Sequence, residues 1–183
     1  MVLIVEKTFK IRYFPVISSD VFEEREILDG VIKDLNNIWM DTLGVMLKVK
    51  KWESHVSSKI TNQNINDIII DEMDDYDIYI GIMWKEYGTP TNGYKSGTEQ
   101  EFRVALDNFE KNGKPLIKFY FSKREFTSDF GNVEQYVNIK NFKNELKEKG
   151  IIKYYKSIEE FKYILFMELS SCIKDEFIKN SGD

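Results

Sequence analysis

The chain has 183 residues, with 26 basic against 31 acidic side chains and a formal charge of −5. Apolar residues at 42% and aromatic residues at 14% supply enough surface for a packed core and argue against intrinsic disorder, and the length fits one domain over residues 1–183. A net negative charge with no concentrated basic block speaks against direct nucleic-acid binding, because that binding comes from Lys and Arg neutralising phosphates.

One cysteine, Cys172, and one histidine, His55, rule out an internal disulfide and leave a Cys/His zinc site without ligands. The residues therefore predict no metal. The apolar run at the amino terminus is short and meets a charge at Glu6, and no later segment has the length of a membrane span. The expectation is a cytoplasmic protein without membrane contact.

In chain order, Lys10 to Ser18 is rich in β-branched and aromatic residues and ends in small polar ones, as a buried strand running into a loop would. Asp20 and Glu23 have capping-box spacing, and Leu28, Val31, Ile32, Leu35, Ile38 and Trp39 recur with helical period, predicting a helix that ends near Asn37 to Met40. Val45 to Trp52 reads as a second strand, Asn64 to Met73 as a helix, and Asp77 to Trp84 as a nearly continuous apolar strand covered on both faces. Gly88 to Gly97 holds three glycines and forms a loop longer than most connections. A helix follows from Thr98 to Asn112, with Phe102, Ala105, Leu106 and Phe109 on one stripe, then a strand from Pro115 to Phe121. Glu134 to Lys149 reads as a charged helix, Ile151 to Tyr155 as the last strand and Ser157 to Lys179 as a closing helix.

Alternation of strand and helix predicts an α/β fold: a flavodoxin-like, five-stranded parallel sheet of order 2-1-3-4-5 with helices on both faces. In such sheets ligands bind beyond the carboxyl ends of the strands where the order reverses. Ser18, Ser19 and Asp20, the segment from Trp84 to Gly97, and the helix start at Thr98 converge there.

The stretch Ser96-Gly97-Thr98-Glu99-Gln100-Glu101-Phe102 carries a glycine-bearing loop into a helix start whose free N–H groups attract anions. Glu99 and Glu101 lie roughly 200° apart around the helix, so at most one of them faces a small pocket. Both Ser96-x-x-Glu99 and Thr98-x-x-Glu101 also match a capping box, and spacing alone favours the cap. Ser18 and Ser19 are equally placed to hold a ribose or phosphate or to cap the first helix. Trp84 reads more readily as core and Tyr87 more readily as a ring that stacks on a ligand. Trp52 and Glu53 fall at the end of the second strand, where reaching the crevice and forming a surface turn are equally open readings. The acidic run Asp71 to Asp77 lacks the glycine and terminal glutamate of an EF-hand loop and reads as a solvated connection.

From Ile17 to Phe121 the chain resembles the TIR-like domains at the amino terminus of bacterial STAND ATPases and related anti-phage defence proteins. The pieces that carry the resemblance are Ile17-Ser18-Ser19-Asp20-Val21 with Glu24-Arg25, Tyr79 to Trp84, Gly88-Thr89-Pro90-Thr91, Ser96 to Phe102, and Lys114-Pro115. Gly97-Thr98-x-x-Glu101, with Ala105 one turn on, is also similar to the glycine-threonine-glutamate motif of nucleoside 2-deoxyribosyltransferases. Arg103 stands where that motif carries a glycine. The resemblance implies cleavage of the N-glycosidic bond of NAD or a related nucleotide, with Glu101 catalytic and Thr98 or the backbone near Gly97 holding ribose or phosphate. It further implies NAD as substrate rather than resident cofactor, and a second copy or a partner defence protein that completes the assembly. The other implied readings are a non-catalytic TIR-like module that relays assembly on binding a nucleotide or protein, and a base-exchange transferase acting on nucleosides.

Overall fold

The computed structural model describes residues 7–13, 19–50, 76–88, 90, 93–125 and 133–180. Within them the chain is a mixed α/β domain. Its strands are β1 (Lys7–Tyr13), β2 (Val45–Lys50), β3 (Ile78–Met83), β4 (Leu116–Ser122) and β5 (Ile152–Tyr155). Its helices are α1 (Phe22–Leu43), α2 (Gly97–Asn112), α3 (Val133–Glu148) and α4 (Ile158–Asn180), and a 3-10 turn over Ser19–Val21 leads into α1. The helix expected over Asn64 to Met73 lies outside the described residues.

The strands pair in parallel in the order β2-β1-β3-β4-β5. Alternation along β3 divides the core in two. Ile78, Ile80 and Ile82 point into a cluster with Leu28, Leu35 and Trp39 of α1 and Phe161, Leu165 and Leu169 of α4. Tyr79 and Met83 point the other way, into a cluster with Phe102 and Ala105 of α2 and Phe142 and Leu146 of α3. Helices thus cover both faces, which is why β3 is buried along its whole length and carries an unbroken apolar run. Gly81 sits at the middle of that strand because a Cβ there would lie 2.3 Å from the buried Phe119 ring.

Among the described residues, two element boundaries differ by three residues or more from those expected. β1 starts at Lys7 rather than Lys10, because its register against β2 begins at Lys7↔Val45 and the ladder holds Thr8 and Phe9. The first helix runs on to Leu43 and stops at Gly44, whose left-handed φ of 61° is a glycine C-cap. The N-cap residue of that helix is Val21, one residue beyond Asp20, and it makes no side-chain cap bond. Among the described residues no helix is long and apolar enough to cross a membrane.

Candidate functional site

The start of α2 is built by local hydrogen bonding. Ser96 is the N-cap, in an extended conformation, and its hydroxyl accepts the N–H of Glu99 at 3.1 Å. Glu99 returns the bond one residue further out, its Oε2 accepting the N–H of Lys95 at 3.1 Å. Its other oxygen, Oε1, takes Arg103 Nη2 at 3.3 Å, and Arg103 crosses to Glu145 of α3 at 2.7 Å through Nη2 and Oε2. Arg103, at the position where the transferase motif has a glycine, is therefore the bolt between α2 and α3.

Of the two overlapping caps that the spacing allows, the structure forms the one at Ser96. Thr98 is instead the second residue of the helix and is buried, and Gly97 is the first. Glu101 projects from the other side of α2 to Glu99 and is half-buried. Its charge acts on the hydroxyl of Tyr79, whose pKa is raised first by burial and next by Glu101. Glu99 thus serves the cap and the α2–α3 bolt, and Glu101 stands on the other side of the helix, near Tyr79 of β3.

Gln135, on the first turn of α3, fixes the chain leaving β3. Its Oε1 accepts the N–H of Tyr87 and its Nε2 donates to the carbonyl of Gly88, both at 2.9 Å. Gly88 has φ of 97°, and a Cβ placed on it would sit 3.3 Å from Cβ of Ser96, so the two ends of the loop meet at this glycine. Tyr87 is the ring expected to stack on a ligand. It is 2% exposed, its ring lies edge-on to Phe142 at 5.7 Å, and its hydroxyl donates to Glu99. Burial and the Glu99 charge push its pKa up.

On the α1 side of the sheet, at the carboxyl ends of β3 and β4, lies a cleft of ≈ 390 Å³. Asp20, Phe22 and Glu23 form one wall, and Trp84, Lys85, Glu86 and Arg124 the other. Asp20 Oδ2 accepts the N–H groups of Lys85 at 3.1 Å and Glu86 at 3.2 Å, stitching the start of α1 to the end of β3. Burial raises its pKa, against the pull of those two hydrogen bonds. Trp84 donates Nε1–H to the Arg124 carbonyl at 3.0 Å, and its ring carries the Arg124 guanidinium at 4.4 Å and Lys85 Nζ at 4.7 Å. Arg124 in turn meets Ser122 Oγ through Nε at 3.1 Å and pairs with the fully buried Glu24, which also accepts the hydroxyl of Tyr155. Arg124, Glu24 and Gln135 escape a reading by spacing, since their partners lie tens of residues away.

Of the other residues singled out by sequence, Ser18 lies outside the described residues, as do Trp52, Glu53, His55 and Asp71 to Asp75. Ser19 opens the 3-10 turn before α1. Trp84 is partly buried against the α1-side core and borders the cleft. The cleft's walls do not include Glu101, which stands on the α2 side. No group of His, Cys, Asp and Glu able to hold a metal occurs among the described residues.

A family model described as a domain of unknown function, DUF4062, matches residues 19–170. The chain belongs to that family. In this DUF4062 domain the matched segment runs from the 3-10 turn at Ser19 into α4, so the α2 start and the cleft both fall within it. No curated protein and no solved structure matches the chain.

Proposed function

We propose that this DUF4062 domain is a flavodoxin-like, TIR-like defence effector that cleaves the N-glycosidic bond of NAD or a related nucleotide. The strand order 2-1-3-4-5 supports the fold side of the reading. The observation that carries the chemical side is the placement of the α2 carboxylates: Glu99 is held by the Lys95 N–H and Arg103, and Glu101 stands on the opposite side of the helix, near Tyr79 of β3.

The reaction suits a single carboxylate. The nicotinamide of NAD is already a pyridinium, so when the C–N bond breaks its electron pair neutralises the ring and no general acid is required. Positive charge is left on the ribose as an oxocarbenium-like species. Glu101 stabilises that charge or adds to it; water then bonds to the anomeric carbon, displacing the Glu101 carboxylate where it has added, and a proton is released with ADP-ribose. Thr98, the backbone at Gly97, and Ser18 and Ser19 would hold ribose or phosphate.

The second reading, a non-catalytic module that binds a nucleotide or a partner protein, draws on the cleft itself. Its aromatic and charged walls come from Phe22, Trp84, Lys85 and Arg124, and a ligand seated there would lie on the other side of the sheet from Glu101. Incubation with NAD at a series of protein concentrations, with nicotinamide followed by chromatography, separates the two. Release that grows faster than protein concentration supports an enzyme completed by assembly. Saturable NAD binding without release at any concentration supports the module.

A further inference from the structure

We infer that Lys123, Lys143 and the ring of Tyr154 form a binding site for a phosphate group at the carboxyl edge of the sheet. The inference goes beyond the N-glycosidase reading and does not depend on it.

Alternation at the end of β4 directs the side chains. Phe121 faces the α2–α3 core and Ser122 the α1 side, so Lys123 returns to the α2–α3 side while Arg124 goes to the cleft. Lys123 is anchored there by its own N–H, which donates to the Tyr155 carbonyl at 2.7 Å. Its Nζ lies 4.3 Å from the centroid of Tyr154 on β5. Lys143, from the third turn of α3, brings its Nζ to 4.9 Å from the same centroid and 5.5 Å from that of Phe121. Two ammonium groups from different elements therefore converge on one ring.

Neither ammonium forms an ion pair among the described residues, in contrast to the basic groups around them. Lys118 and Lys153 share Glu168, Arg103 has Glu99 and Glu145, and Arg124 has Glu23 and Glu24. Burial and, after it, the neighbouring Lys123 charge push the Lys143 pKa below the ordinary lysine range. Attraction to an aromatic ring is modest at exposed sites, and like charges on one ring oppose it. A bridging oxyanion removes the conflict. Two ammonium groups with three donors each suit a tetrahedral phosphate, for which lysine acts as a point charge. A polyanionic nucleic acid suits the site poorly, because two lysines on a chain of net charge −5 neutralise too little of its backbone.

The test is a phosphorus NMR titration at constant ionic strength, with inorganic phosphate in one arm and AMP in the other, neither requiring turnover. Saturable binding of either probe, weakened at least tenfold by both Lys123→Gln and Lys143→Gln and retained by Lys143→Arg, is the expected result. The arm that binds identifies free phosphate or a phosphomonoester as the ligand. Binding of neither probe, or binding unchanged in both glutamine variants, overturns the inference and leaves the lysines as covers for Tyr154. Because nothing here reads nicotinamide release, a failure would leave the N-glycosidase proposal standing, and the reverse holds too.

Discussion

Tyr155, the last residue of β5, donates its hydroxyl to Glu24 Oε1 at 2.7 Å, joining the final strand to the first turn of α1 across 131 residues. Arg124 completes the contact from the end of β4, so three elements meet on one buried carboxylate. Glu24 Oε2 makes no hydrogen bond. Removing Arg124 would strand a buried charge, and Arg124→Met is expected to cost ~3–5 kcal/mol. Removing both partners, in Glu24→Leu with Arg124→Met, is expected to recover more than half of that loss. Urea unfolding of the single and double variants checks the coupling, and a double variant no more stable than Arg124→Met would contradict it.

Gly81 offers a test of the core. A methyl group there meets the Phe119 ring at 2.3 Å, and that ring is itself held by Phe102, Phe121 and Phe142. Overpacking of this kind costs about 1–3 kcal/mol. Gly81→Ala should lower the thermal midpoint, whereas Gly30→Ala, with open space around the position on α1, should hold or raise it. Scanning calorimetry of the two variants gives the comparison.

The clamp at Gln135 makes a prediction about local opening rather than global stability. Loss of its two hydrogen bonds in Gln135→Ala frees the Tyr87 N–H and the Gly88 carbonyl. Each bond contributes about 0.5–1.5 kcal/mol, so amide exchange at Tyr87 should accelerate roughly tenfold or more. Exchange at the central β3 amides should change far less, and equal acceleration at both places would show that no local clamp exists.

Acid sensitivity follows from Glu145. Hydrogen bonding to Arg103 pulls its pKa below the ordinary 4.5, so the folded state holds this proton less tightly than the unfolded chain does. The stabilisation is therefore present above the unfolded value and is lost as pH falls through the folded one. The side chain is partly exposed and the effect is screened accordingly. Urea midpoints measured from neutrality down to about pH 3 should fall less steeply for Glu145→Gln than for the parent chain, the parent losing a contribution the variant never had.

Much of the fold was legible because its signals are local. The unbroken apolar run of β3, the stripe of Phe102 and Ala105, and the glycine closing α2 at Gly113 are each set by burial or by backbone conformation within a few residues. The far end of α1 was less so, because Gly44 lies beyond Met40 and nothing in the periodicity marks Asn37 to Met40 as continuing. At the site, two capping boxes overlap in six residues, and only the extended conformation of Ser96 chooses between them. Asp20 read as a cap because its bonds to Lys85 and Glu86 bridge 65 and 66 residues. The burial of Tyr87 is not legible in its neighbours, since it depends on Phe142 and Gln135 from α3.

The proposed catalytic role of Glu101 is tested by nicotinamide release from NAD by three proteins at matched concentration: the parent chain, Glu101→Gln and Glu99→Gln. Glu101→Gln should lower the rate at least a hundredfold while NAD binding survives, a loss of the size that removal of one transition-state electrostatic partner brings. Glu99→Gln should retain most of the rate and lose stability instead, through the weakened α2 cap. Release by Glu101→Gln at the parent rate would contradict the account.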